Sequence, residues 1–359
     1  MKRYHDPLFA PEKKRHPVLS FFLLLIIFLL AVIFLFNHIN NSRVNLLRQS
    51  ITITNLPGSM ENYRILHISD LHGQFFGQQQ ERLAATLEGA NYRMVLITGD
   101  VCAPDGSYDA FLRLLSILGD DVPVYFIPGD EDPLPILNTP HAGGEAKADY
   151  ILAAEEMGAI YLDAPQKITI GSVTLWLDPT WVYSLDVAAS EAAVSERIAE
   201  LEAEDDSPER DAFLAAAQYQ LDQLRRVRAA RQETLETDLH IALTHVPLTH
   251  EAREELRAWT GTDNDSYVRQ ISLVLAGHYA AGQWRLPGFG PIYMPLTESA
   301  ENTGWFPGDS DLVGLSYAYS VTQYISPGLG ASRALGLPPF RFLNTPAVTQ
   351  ITLTGRMTD

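Results

Sequence analysis

Five short apolar runs in this chain end in the same way. RILHIS (64–69) leads into Asp70-Leu71-His72, and MVLIT (94–98) leads into Gly99-Asp100. VPVYFIP (122–128) leads into Gly129-Asp130-Glu131-Asp132, LHIALT (239–244) into His245, and SLVLA (272–276) into Gly277-His278. Apolar runs of this length, bounded by turn residues, read as buried strands. The first three alternate with stretches of helical spacing over 79–90, 108–119 and 147–157, the pattern of a layered α/β domain. In such sheets the carboxyl ends of the strands share one edge, where ligands bind. The chain must therefore accommodate several carboxylates and histidines side by side.

The second half has more strands and fewer helices. KITIGSVTLWLD (167–178) reads as a hairpin turning on Gly171-Ser172, and further runs follow in PIYMP (291–295), YSVTQYIS (319–326) and VTQITLT (348–354). Two sheets packed face to face with helices outside fit this order. Residues 187–237 are rich in Ala, Glu, Arg, Leu and Gln at helical spacing and read as an inserted helical hairpin. Ser207-Pro208-Glu209 supplies a helix start: a capping hydroxyl, Pro in the first turn, then an acid.

Residues 17–36, PVLSFFLLLIIFLLAVIFLF, carry no charge. About 20 such residues span a hydrocarbon core of about 30 Å. Lys2, Arg3, Lys13, Lys14 and Arg15 precede them against only Asp6 and Glu12. The positive-inside rule then predicts a cytoplasmic N-terminus (1–16), a single-pass anchor (17–36) and an extracytoplasmic remainder. NHINNSR, which follows, lacks the small-residue pattern of a signal cleavage site. Residues 37–60 read as a stem and an opening strand, SITITNL, and 61–359 as the folded domain.

The formal charge of −18, or −21 beyond residue 16, argues against a nucleic-acid partner, which would be met by a basic face. The single cysteine, Cys102, excludes an internal disulfide and reads as a small, partly buried apolar residue.

A lone Asp after a strand is ordinarily a turn former or helix cap, and a lone His is ordinarily a hydrogen-bonded structural residue. Five strand ends of this kind together are not explained by capping. Crowded buried carboxylates repel and raise one another's pKa unless a cation intervenes. Mixed Asp/His donors without thiolate suit manganese, iron, zinc or magnesium. Two ions sharing one carboxylate could hold a phosphate for in-line attack, and Asp100, from a central strand, is the natural shared ligand.

With these residues set out, the chain resembles the calcineurin-like metallophosphoesterases over about residues 60–355, in particular their membrane-associated bacterial branch. The family pattern runs D-x-H, G-D, G-N-H-[DE], a strand-end His, then G-H-x-H. Here DLH supplies Asp70 and His72, GDV supplies Asp100, THVPL supplies His245 and GHYAAGQ supplies His278. The resemblance implies a four-layer αββα fold, one or two divalent ions, and a phosphomonoester or phosphodiester substrate. An anchor would place that substrate within reach of the lipid or envelope fraction.

Two motifs depart from the pattern. Ala280 stands where the family has a histidine ligand of the first metal. GDED places Asp130 at an asparagine ligand of the second metal and Glu131 at the histidine that assists the leaving group. The metal set implied is Asp70, His72, Asp100, Asp130, His245 and His278, with Asp100 and Glu131 nearest the chemistry. Glu131 would either donate a proton in a crowded acidic site or ligate the first metal in place of the missing histidine. The expectation is a membrane-anchored phosphoesterase with an altered metal site. The alternative is an inactive descendant that binds metal or phosphate as a sensory module.

Overall fold

A computed structural model of the chain describes residues 17–136, 146–258, 271–296, 303–308, 311–333 and 339–355. Helix α1 (Pro17–Asn41) is followed by β1 (Asn45–Thr52), β2 (Arg64–Ile68), α2 (Glu81–Leu87), β3 (Met94–Thr98), α3 (Asp109–Leu118), β4 (Val124–Ile127), α4 (Asp149–Glu156) and β5 (Ile160–Tyr161). Then come β6 (Gln166–Ile170), β7 (Val173–Pro179), α5 (Val187–Glu202), α6 (Pro208–Glu233), β8 (Leu239–Leu243), α7 (His250–Ala258) and β9 (Ile271–Ala276). The last strands are β10 (Trp284–Leu286), β11 (Gly290–Met294), β12 (Gly304–Trp305), β13 (Gly314–Ala318), β14 (Val321–Ile325) and β15 (Ala347–Thr354).

Two six-stranded mixed sheets result, in the orders β1-β15-β2-β3-β4-β5 and β13-β14-β9-β8-β7-β6. In the first, β15 pairs antiparallel with β2 and parallel with β1. In the second, only the flanking β13–β14 and β6–β7 pairs are antiparallel. Their facing sides share one apolar cluster, with Ile65, Leu96 and Ile351 from the first sheet against Leu177, Ile241 and Leu275 from the second. Each such buried side chain contributes roughly 1.5–3 kcal/mol. This contact, rather than the edge strands, holds the two sheets where their strand ends meet.

Helices α2, α3 and α4 cover the outer face of the first sheet through Leu83, Phe111 and Ile151. Val227 of α6 packs on the outer face of the second sheet, with Ala242 and Val274. The αββα order expected from the sequence is therefore the fold. The 187–237 segment is a helical hairpin, and its second helix is capped by the Ser207 side chain, which accepts from the Arg210 N–H. Arg226 of that helix donates two hydrogen bonds to Asp163, at 2.7 and 2.8 Å.

Some boundaries differ from the expectation. The opening strand occupies Asn45–Thr52 rather than 50–56, because it is an edge strand that buries little besides Ile51 and so lacks the alternation by which strands are recognised. The apolar helix continues to Asn41, and α1 is one helix long and apolar enough to cross a membrane. A small sheet, β10-β11-β12, lies outside both large ones. The hairpin at Gly171-Ser172 forms as expected, with Gly171 in the left-handed region.

Candidate metal centre

The loops that follow β2 and β3 stay paired beyond their strands. Asp70 N–H donates to the Gly99 carbonyl at 3.0 Å, and His72 N–H donates to the Asp100 carbonyl at 2.8 Å. Asp70, His72, Asp100 and His278 all lie at positive φ, between 47° and 66°. Asp and His tolerate this region better than most residues, but each such position costs energy, and strain of this kind gathers at functional sites. Of the glycines that precede Asp100, Asp130 and His278, Gly99 alone lies at positive φ, 84°. Gly129 and Gly277 serve close approach instead. A methyl group on Gly129 would strike the Asp100 carboxylate, and one on Gly277 would come within 2.9 Å of Ser69 Cβ.

Six side chains meet at this edge in two groups that share Asp100. Asp70, His72 and Asp100 form one group, and Asp100, Asp130, His245 and His278 the other, with the donor atoms of each group within 4.8 Å of one another. His245 Nε2 lies 3.0 Å from Asp100 Oδ2 and 2.9 Å from Asp130 Oδ1. His278 Nδ1 lies 3.0 Å from Asp130 Oδ1, and His72 Nε2 lies 3.7 Å from Asp100 Oδ2. Asp130 is two-fifths exposed at the mouth, while the other five are buried.

Backbone groups orient these side chains. His245 Nδ1–H donates to the Thr98 carbonyl at 2.7 Å, which turns Nε2 towards the carboxylates. Asp70 accepts from His278 N–H at 2.7 Å and from the Ser69 hydroxyl. Glu131 N–H donates to Asp100 Oδ1 at 2.9 Å. Fixing the second nitrogen of a histidine and the second oxygen of a carboxylate is how ligand orientation is set around metals.

The electrostatics are those of an anionic pocket. Among the described residues, every ion-pair partner of Asp100, Asp130 and Glu131 is a histidine. Burial alone would lower the His245 imidazole, but Asp100 and Asp130 hold it well above the usual histidine value. Burial would raise Asp130, yet His245 and His278 hold it far below the ordinary carboxylate range. The donor set fits a divalent cation: three crowded carboxylates, imidazoles already oriented, and His278 Nε2 buried without a hydrogen-bond partner among the described residues.

The two departures from the family motif are visible as side chains. Ala280 is fully buried, and its carbonyl accepts from Arg341 at 2.9 Å and Asn344 at 2.7 Å, so it offers no donor to an ion. Glu131 falls outside both ligand groups. Its carboxylate accepts from the Ser332 hydroxyl and lies 3.4 Å from His72 Nδ1. Cys102 is buried, and burial together with neighbouring Asp132 pushes its thiol far up, in keeping with a packing role.

Two supports lie outside the expected ligand set. Asp132 accepts from Cys102 N–H at 2.7 Å and Gly129 N–H at 2.8 Å, joining the loops after β3 and β4. Arg341, buried, donates to the carbonyls of Ala280, Pro327, Gly328, Gly330 and Asn344. Burial lowers its guanidinium to about 10. The first position follows the D-x-D spacing in GDED; the second had only a lone Arg near the chain's end.

Comparison with the curated proteins finds no match. Among solved structures, a phosphopantetheinyl hydrolase from Mycobacterium tuberculosis is similar at 18% identity, over 75% of this chain and 91% of that one, with a TM-score of 0.37. A likeness that distant carries nothing about activity. The family model for the calcineurin-like phosphoesterases matches residues 63–281, a span that contains all six of the converging side chains. By that match, this chain belongs to the calcineurin-like phosphoesterase family.

Proposed function

We propose that the chain is a metal-dependent phosphoesterase, anchored in a membrane by α1 with its N-terminus in the cytoplasm. In this reading Asp70, His72 and Asp100 hold one divalent ion, and Asp100, Asp130, His245 and His278 hold a second. The observation that carries it is the sharing of Asp100 between two converging groups of donors. A divalent ion in such a site supplies Lewis-acid polarisation of a phosphoryl group and activation of water.

The chain's own residues then divide the work. His245 turns Nε2 towards the ion site because Thr98 holds its other nitrogen, and Asp100 keeps Oδ2 turned inward because Glu131 N–H holds Oδ1. Glu131, a third exposed beside His72, is placed to meet the departing oxygen, where it assists only when protonated. The substrate is a phosphomonoester or phosphodiester.

A second reading is favoured by Ala280 and Glu131: a metal-binding module without turnover, since one ligand position has no donor and a carboxylate stands near the phosphoryl path. The deciding experiment measures metal content of the full chain in detergent and its hydrolysis of bis-p-nitrophenyl phosphate with added manganese. About one equivalent of metal or more, with turnover abolished by Asp100→Ala, supports the enzyme. Metal without turnover supports the module. No metal after manganese loading refutes both.

A further inference from the structure

The C-terminal end of α1 is fastened to the domain beside the metal centre. Asn37 and Asn41 donate their side-chain amides to the Arg341 carbonyl at 2.9 and 2.6 Å, and Leu343 N–H donates to Asn37 Oδ1 at 2.7 Å. The Arg341 side chain in turn holds the Ala280 and Gly330 carbonyls next to the site. Between the helix end and the site runs a cleft of about 390 Å³, within the roughly 300–1,000 Å³ usual for small-molecule sites. His72 and Gln74 line one part of it, and Phe34, His38 and Phe340 another.

Phe34 is the informative residue. It lies one turn before Asn37, near the end of the uncharged run, and is 75% exposed. In a bilayer that side chain belongs to the hydrocarbon boundary, so the cleft connects that boundary to a candidate metal ligand. Phe340 is held by stacking on Trp284 at 5.0 Å between ring centroids, which keeps an apolar wall in place. The one guanidinium on the lining, Arg341, is taken up by backbone carbonyls. A polyanionic soluble ligand such as a nucleotide would thus find little to neutralise it. Another cavity, about 690 Å³, opens among Thr54, Asp238 and Ser272, none of them at the metal centre.

From this geometry we infer that the site is loaded from the bilayer with an amphiphilic phosphoester, its phosphate at His72 and its apolar chain along Phe34 and Phe340. This rests on the phosphoesterase reading above. Hydrolysis consumes one water: a P–O bond to the water oxygen forms, the P–O bond to the leaving group breaks, and the leaving oxygen takes a proton.

The test uses the full chain in lipid nanodiscs, loaded with manganese, and a series of p-nitrophenyl alkyl phosphates from methyl to octyl. Each methylene that leaves water is worth roughly fourfold in affinity, so kcat/KM should rise at least about tenfold across the series. The rise should be shallower in the Phe34→Ser/Phe340→Ser variant, with its manganese content checked against the wild type. Partition into the nanodisc is common to both proteins, so the difference in slope is the readout. Turnover that does not vary with alkyl length, or an equal slope in the variant, overturns the inference while leaving the phosphoesterase intact. If no ester is turned over, the phosphoesterase reading fails, and calorimetric affinities for dodecyl phosphate and butyl phosphate decide the cleft. Equal affinities overturn it; a tighter dodecyl phosphate, weakened in the double variant, supports it.

Discussion

Replacing Arg341 with Met should destabilise the chain well beyond the loss of one surface charge. The guanidinium donates to five carbonyls. Two of these have a second donor, since Ala280 O also accepts from Asn344 and Gly328 O from Ala347 N–H. The carbonyls of Pro327, Gly330 and Asn344 have no other donor among the described residues. A buried polar group left unsatisfied costs about 1–3 kcal/mol, and members of one network do not add fully. Removing the guanidinium also removes its own desolvation cost. A net loss of about 3–5 kcal/mol follows. At roughly 2 °C per kcal/mol for a domain of this size, the apparent Tm of the full chain in detergent should fall by about 6–10 °C. Arg341→Lys should recover only part of this, because an ammonium lacks the planar fork that reaches several carbonyls at once. A Tm within 2 °C of wild type for Arg341→Met would show that the carbonyl cage is not what holds these loops.

Three further outcomes are expected. Gly129→Ala pushes a methyl group into the Asp100 carboxylate, so manganese affinity should drop about 10–100-fold, as for other disturbed ligand supports; competition with a fluorescent chelator measures it, and an unchanged affinity refutes the contact. Ala280→His restores an imidazole on left-handed backbone that histidine tolerates, and should tighten manganese binding by about tenfold in the same competition; no change would mean that this position is not where a ligand was lost. Burial lowers the His67 imidazole from 6.5 to about 3, so the unfolded chain takes up a proton that the native state refuses between those values. Stability should therefore fall as pH drops through that window, by up to about 1.4 kcal/mol per unit, and His67→Gln should flatten the slope in urea titrations from pH 7 to 4.

The convergence of the candidate ligands was legible in the sequence because they sit where strands stop. Asp70, Asp100, His245 and His278 each follow an apolar run directly, and a shared sheet edge brings such residues together without knowledge of any loop. The backbone that aims them was not legible. Positive φ at Asp70, His72, Asp100 and His278 cannot be read from residue type alone, and two of the neighbouring glycines, Gly129 and Gly277, lie outside that region. Strand β1 was expected at 50–56 and lies at Asn45–Thr52, because an edge strand with exposed side chains shows no alternation to fix its bounds. Arg341 escaped for a different reason: its partners are carbonyls, which every residue carries, so no pairing of side chains marks its place.

The position of β15 has a consequence for the order in which the chain can assemble. It lies between β1 and β2, and in that sheet β1 has no other neighbour. The strand that follows α1 must therefore wait, its hydrogen-bonding edge bare, until residues 347–354 have been synthesised. Three hundred residues separate the paired strands, Asn45 meeting Ala347 in register, and closing a contact of that span is slow compared with local pairing. A ribosome stalled anywhere before residue 347 would leave the edge of β1 open, a template for pairing with the wrong chain. The closing of that sheet edge is thus set by strand β15.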